Sequence, residues 1–188
     1  KKDVDEIFIS NLKKYTKVLQ IDDKKRDFGA HFVISTNQFI NKREYKKTKF
    51  ENILSGNKYN LISEYYFNIR NHYDLNSNNI LITMGGEDPS NKTLEILKSI
   101  RGLNPLIIKI IILGPSHPNP ESIFEECKNF HKFYKIYSSP SSLEKHFLNI
   151  RFAFSACGLT LLDLIAASIP TIGVPIENHQ NSLHKECL

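Results

Sequence analysis

The chain has no tryptophan, a single methionine and only three cysteines in 188 residues. Cys127, Cys157 and Cys187 are odd in number and widely spaced, which fits reduced thiols in a cytoplasmic protein better than a disulfide framework. Long hydrophobic runs are missing too. The longest, Leu106 to Leu113, has the length of a strand and is broken by Lys109, far from the roughly 18–20 apolar residues of a membrane span. No charged-then-apolar leader follows Lys1, so no signal peptide is expected in this sequence.

Several chemical signatures are also lacking. Without G-x-G-x-x-G or G-x-x-x-x-G-K-[ST], a dinucleotide-dependent dehydrogenase and a P-loop ATPase are disfavoured. Without G-x-S-x-G there is no nucleophile elbow. His179, His184 and Cys187 come with neither a cysteine pair nor H-E-x-x-H, so no metal and no other cofactor is expected. The net charge of +5 is confined to one end: residues 1–73 carry 15 lysines and arginines against 9 acids, and residues 74–188 carry 10 against 11. Lys42, Arg43, Lys46, Lys47 and Lys49 could track phosphates, but no nucleic-acid module accompanies them, so they read as solvated surface and no nucleic-acid partner is expected.

What is present is an alternation of strands and helices. Apolar spacing predicts a helix over Asp3–Tyr15, strands at Lys17–Ile21 and His31–Thr36, a polar basic segment over Asn37–Asn57, a short apolar run of open type at Tyr59–Tyr66, and a linker over Asn71–Asn79. Beyond it the pattern predicts strands at Ile80–Met84, Leu106–Leu113, Phe133–Tyr137, Phe152–Ser155 and Thr171–Val174. Helices at Asn91–Arg101, Glu121–His131, Ser141–Asn149 and Thr160–Ser168 separate them, and a last helix starts near Asn178. Strands joined by helical crossovers form a parallel sheet covered on both faces. The expected organisation is therefore α/β, with residues 1–73 as one part and 74–188 as a Rossmann-like domain.

Ligands of open parallel sheets bind beyond the carboxyl ends of the strands, which directs attention to four loops. Gly85-Gly86-Glu87-Asp88-Pro89 allows close backbone approach, with Asp88 read as an N-cap and Pro89 as the first helical residue. Gly114-Pro115-Ser116 suits a chain reversal at a pocket edge. In Ser155-Ala-Cys-Gly-Leu-Thr160, small residues lead into a helix whose amides at Gly158 to Thr160, with the Thr160 hydroxyl, suit a diphosphate; otherwise Thr160 is simply the helix cap. Asp163, one turn further on, would accept from a ribose diol or else serve the helix dipole. Pro175-Ile-Glu-Asn-His-Gln-Asn181 offers amide and imidazole groups for sugar hydroxyls or a polar cap.

Taken in order, these segments resemble the UDP-2,4-diacetamido-2,4,6-trideoxy-altropyranose hydrolase family of pseudaminic acid and spore-coat polysaccharide biosynthesis, and more distantly the peptidoglycan N-acetylglucosaminyltransferases. Ile80 to Thr93 resembles the family's strand followed by G-G-x-D-P-x-N-x-T. Leu113 to Ser116 resembles its next strand end, and Ser155 through Pro170 its A-G-G-S-T…E…G-x-P stretch. Val18 to Asp23 and Thr36-Asn37-Gln38 are similar to the end of the family's first domain.

The resemblance implies a GT-B fold whose second Rossmann-like domain binds UDP, with residues 1–73 as the remainder of the first domain plus linker. By position, Cys157, Gly158, Leu159 and Thr160 would form the diphosphate loop, and Gly85, Gly86, Gly114 and Ser155 would also belong to the UDP site. Asp163 would take the ribose, Tyr137, Ser138 and Leu143 the uracil, and Asn178, His179 and Gln180 the sugar. Cys157 stands where the family has glycine, Leu159 where it has a hydroxyl residue, and Asp163 where it has glutamate. The implied activity is hydrolysis of a UDP-sugar to free sugar and UDP; the alternatives are a UDP-sugar-dependent glycosyltransferase and a non-catalytic nucleotide-sugar-binding homologue. No catalytic residue is nominated, and no oligomeric state follows from the sequence.

Overall fold

The computed structural model describes residues 4–22, 26–35, 42–70, 74–104, 106–128, 132–177 and 180. The chain divides into two compact units, Lys1–Leu61 and Ile62–Leu188.

The first unit holds helix α1 (Glu6–Leu12) and strands β1 (Leu19–Asp22), β2 (Phe32–Ser35) and β3 (Ile53–Leu54), parallel in the order β1-β2-β3. Asp5 caps α1, its carboxylate accepting from the Phe8 amide at 2.8 Å. From this helix only Ile9 enters the core, where it joins Val18, Ala30, Val33, Tyr45 and Ile53. β3 was not expected, because two apolar residues in a polar run carry no periodicity; pairing of Ile53 with Val33 and of Leu54 with Ile34 creates it. The basic segment is organised by Asp27, which accepts from the Lys47 and Thr48 amides and the Thr48 hydroxyl. Burial alone would raise its pKa, yet these bonds together hold it below the ordinary value.

In the second unit five parallel strands run in the order β6-β5-β4-β7-β8: β4 (Asn79–Thr83), β5 (Ile108–Leu113), β6 (Tyr134–Ser138), β7 (Phe152–Ala156) and β8 (Thr171–Val174). Helices α2 (Glu64–Ile69), α3 (Lys92–Ser99), α4 (Pro120–Cys127) and α5 (Leu159–Ala166) accompany them. The chain lays down β4, β5 and β6 in one direction, then crosses back to the free edge of β4 for β7 and β8. The order therefore reverses between β4 and β7, where Thr83 pairs with Ser155.

Alternation along the strands builds two cores. Leu81, Ile110, Ile112 and Ala153 pack with Tyr66 and Ile69 of α2 and Leu164 of α5. Ile80, Ile82, Ile111 and Leu113 pack with Leu97 of α3 and with Ile123 and Cys127 of α4. Each buried isoleucine or leucine side chain contributes about 1.5–3 kcal/mol, so the strand ends are anchored on both faces. Lys109 is buried as well, its ammonium 5.2 Å from the centre of the Tyr134 ring, and burial lowers its pKa.

Three expectations change. Helix α2 condenses from the Tyr59–Tyr66 run and belongs to the second unit, because Tyr66 and Ile69 are core residues there. Helix α3 starts at Lys92, and Pro89 lies in the preceding turn. The predicted helix Ser141–Asn149 shrinks to one 3-10 turn, Glu144–His146, because Phe147 is drawn into the core and the short span must reach β7. Among the described residues no helix is long and apolar enough to cross a membrane.

Candidate functional site

The loops after β4 and β5 are packed directly on one another. A Cβ on Gly114 would lie 2.3 Å from the Gly85 carbonyl oxygen and 2.4 Å from that of Gly86, so only glycine fits there. The Ser116 amide donates to the Gly86 carbonyl at 3.0 Å, and Gly85 turns the chain with φ +75. Close approach of backbone to backbone thus accounts for Gly114, and positive φ for Gly85, without a ligand, whereas a Cβ on Gly86 would meet nothing within 4 Å.

Asp88 caps α3, but from farther upstream than its sequence position suggests. With φ +46, it sends a buried carboxylate back to accept from the Lys92 amide at 2.7 Å and the Thr93 amide at 2.9 Å. His117 Nε2 lies 3.4 Å from the same carboxylate, and its Nδ1 accepts from the Asn119 amide. The charge of Asp88 is therefore spread over α3's own first turn, which is closed to an anion. Glu87 is exposed.

The loop after β7 is built differently. Gly158, not Thr160, is the N-cap of α5, and no side chain bonds the helix start. The Cys157 amide donates to the Val174 carbonyl and the Gly158 amide to the Ala156 carbonyl, while the buried Ser155 hydroxyl is spent on the Ala156 carbonyl at 3.0 Å. What remains are the amides of Leu159 and Thr160 and the Thr160 hydroxyl, which meet no acceptor or donor among the described residues. A Cβ on Gly158 would meet nothing within 4 Å among the described residues.

Asp163 stands on α5 beyond the first turn, half-buried and without a hydrogen bond among the described residues. Burial pushes its pKa up from 3.8 to about 6. Tyr66 of α2 is close enough to feel it: burial first, and then the carboxylates of Asp163 and Glu144, push the phenol to about 12.

At the carboxyl end of β6, Tyr137 is partly exposed and its ring centre lies 4.3 Å from that of His146, with the planes tilted by 52°. Burial first, and Lys145 second, lower the His146 pKa. Ser138 is exposed, whereas the half-buried Leu143 packs against the core beside α2. His146 escaped sequence reasoning, since nothing in its spacing marks it. Gln180 is buried, with its Oε1 accepting from the Ile176 amide at 3.0 Å; the Nε2 end has no acceptor among the described residues. Asn178, His179, His184 and Cys187 lie outside the described residues. Among the described residues no three histidine, cysteine or acidic side chains gather as a metal site.

No family model matches the chain. It is 22% identical, over a 198-residue alignment covering 98% of its length, to the uncharacterized protein MJ1062 of Methanocaldococcus jannaschii, of which it spans 40%. Among solved structures it is similar to MurG of Acinetobacter baumannii, with TM-score 0.53 and 16% identity over 82% of this chain and 49% of MurG. It is also similar to TarM, with TM-score 0.50 and 12% identity over 83% of this chain and 36% of TarM. At such identities the likeness is one of fold: the chain has an α/β architecture of parallel sheets with flanking helices, of the GT-B type.

Proposed function

We propose that this chain is the UDP-binding part of a cytoplasmic nucleotide-sugar enzyme of surface-polysaccharide or nonulosonic acid biosynthesis, which hydrolyses a UDP-sugar to free sugar and UDP. The observation that carries the reading is the contrast at α5: two first-turn amides and a hydroxyl without partners among the described residues, followed one turn later by a carboxylate that also has none among them. Amides at a helix start suit a diphosphate, and a carboxylate suits the two hydroxyl donors of a ribose. In the reaction, water attacks the anomeric carbon, the bond from that carbon to the diphosphate oxygen breaks, and UDP departs with the electron pair. The open end of α5 stabilises the charge that grows on the leaving diphosphate. No base is assigned among these residues.

A UDP-sugar-dependent glycosyltransferase is the second reading, favoured by the fold shared with MurG and TarM. The two part on whether UDP release from a UDP-sugar requires an acceptor other than water. For the site itself, calorimetry should give UDP binding that persists in a chelator, because amides rather than a metal hold the diphosphate. An absolute magnesium requirement, or equal affinity for all nucleoside diphosphates, would overturn the assignment.

A further inference from the structure

We infer that the first unit carries a separate binding site for a small organic oxyanion, a carboxylate or a phosphate monoester, between α1 and the loops that lead into β2 and β3. A cavity of about 300 Å³ lies there, lined by Glu6, Ser10, Lys13, Phe28, Gly29 and Lys47. That is the lower end of the range for small-molecule sites, roughly 300–1,000 Å³. All of these residues belong to the first unit, and Phe28, Gly29 and Lys47 precede their strands, at the amino ends of β2 and β3. Parallel sheets hold their usual ligands beyond the opposite, carboxyl ends, so this cavity is no part of the proposed UDP site.

The walls are built and tied. Glu6, Ser10 and Lys13 follow one another at i, i+4 and i+7 and share one face of α1. Opposite them, Asp27 fixes the two loops to each other, one oxygen accepting from the Gly29 amide at 3.0 Å and the other from the Lys47 amide. Gly29 takes φ +71, and its carbonyl accepts from Lys13 Nζ at 2.6 Å, while Lys47 Nζ pairs with the Glu6 carboxylate.

Charge selects the ligand. Glu6 offsets Lys47, but Lys13 meets only a carbonyl, and no carboxylate pairs with it among the described residues. The Ser10 hydroxyl, one turn before Lys13 on the same face, makes no hydrogen bond among them either. Burial first, and then Lys17 and Lys13, lower the His31 pKa, so the field around Lys13 is positive. An oxyanion takes the Lys13 ammonium and the Ser10 hydroxyl, and the half-buried Phe28 gives the rest of the ligand an apolar wall.

Backbone-amide NMR on the 188-residue chain, titrated with benzoate, with phenyl phosphate and with benzyl alcohol as a neutral control, tests the site. The two anions should give saturable shifts centred on residues 6–13, 28–29 and 47, the tighter of them naming the anionic group, and the alcohol should give none. Lys13→Gln should weaken the anions at least about tenfold, the scale of a hydrogen bond to a charged group, and Lys13→Arg should keep them bound. Ser10→Leu, which fills the cavity from the helix side, should abolish binding. The site is overturned if the shifts fail to saturate or fall elsewhere, if benzyl alcohol binds as tightly as the anions, or if Lys13→Gln and Ser10→Leu bind them as the parent does.

Discussion

Helices α3 and α5 begin in the same way, each from the carboxyl end of a buried parallel strand through a short glycine-containing loop, yet their first turns meet opposite fates. At α3 the protein supplies its own anion: Asp88 takes up the amides of Lys92 and Thr93. At α5 the N-cap is Gly158, and the amides of Leu159 and Thr160 have no acceptor among the described residues. A helix start attracts negative charge in either case. What distinguishes them is whether the chain has already spent that attraction on stability. The glycines do not follow this division: Gly114 lets two loops touch, whereas a Cβ on Gly85, Gly86 or Gly158 would meet nothing within 4 Å among the described residues.

The sharpest way to break this comparison is to make α5 resemble α3. Gly158→Asp places a carboxylate at an N-cap where there is room for it. It should cap the free amides and raise the melting temperature slightly, while weakening UDP by at least about 100-fold, or roughly 2.7 kcal/mol. Unchanged UDP affinity in a well-folded variant would mean the diphosphate lies elsewhere.

Gly114→Ala probes the closed side. Its methyl would be driven into the Gly85 and Gly86 carbonyls. Thermal unfolding should show a loss of about 1–3 kcal/mol, the range for an overpacked interior. An alanine tolerated without loss would show that the two loops part easily and are not a fixed ledge.

The smallest effect concerns proton linkage at Asp163. Its folded-state pKa, about 6 against an ordinary 3.8, is raised. The protonated form therefore contributes stability that is fully present below about 3.8 and is lost as pH rises through about 6. A ribose diol favours the ionised form, so UDP affinity should climb over the same interval. Asp163→Asn should flatten the part of both pH profiles that belongs to this residue, and comparing it with the parent subtracts the nucleotide's own titration. Identical slopes in parent and variant would remove Asp163 from the site.

The sequence by itself determined the alternation of strands and helices in the second unit, because strands buried on both faces read as near-continuous apolar runs, such as Ile107 to Leu113 interrupted at Lys109, and the crossovers between them need helices. It also located the strand-end loops, since small residues and glycines stand out against that pattern.

The tertiary structure alone decided how each loop is used. Asp88 reaches past Asn91 to cap α3 because both residues adopt positive φ, which no spacing rule announces. Cys157 and Gly158 have their amides turned to Val174 and Ala156, so the amides without an acceptor among the described residues are those of Leu159 and Thr160 rather than the whole run from Gly158. The helix expected at Ser141–Asn149 became a single turn, and His146 came to lie behind Tyr137, because Phe147 is fixed in the core. In each case local sequence sets which backbone groups exist, but which of them find partners depends on chain segments far apart in sequence, and only packing brings those together.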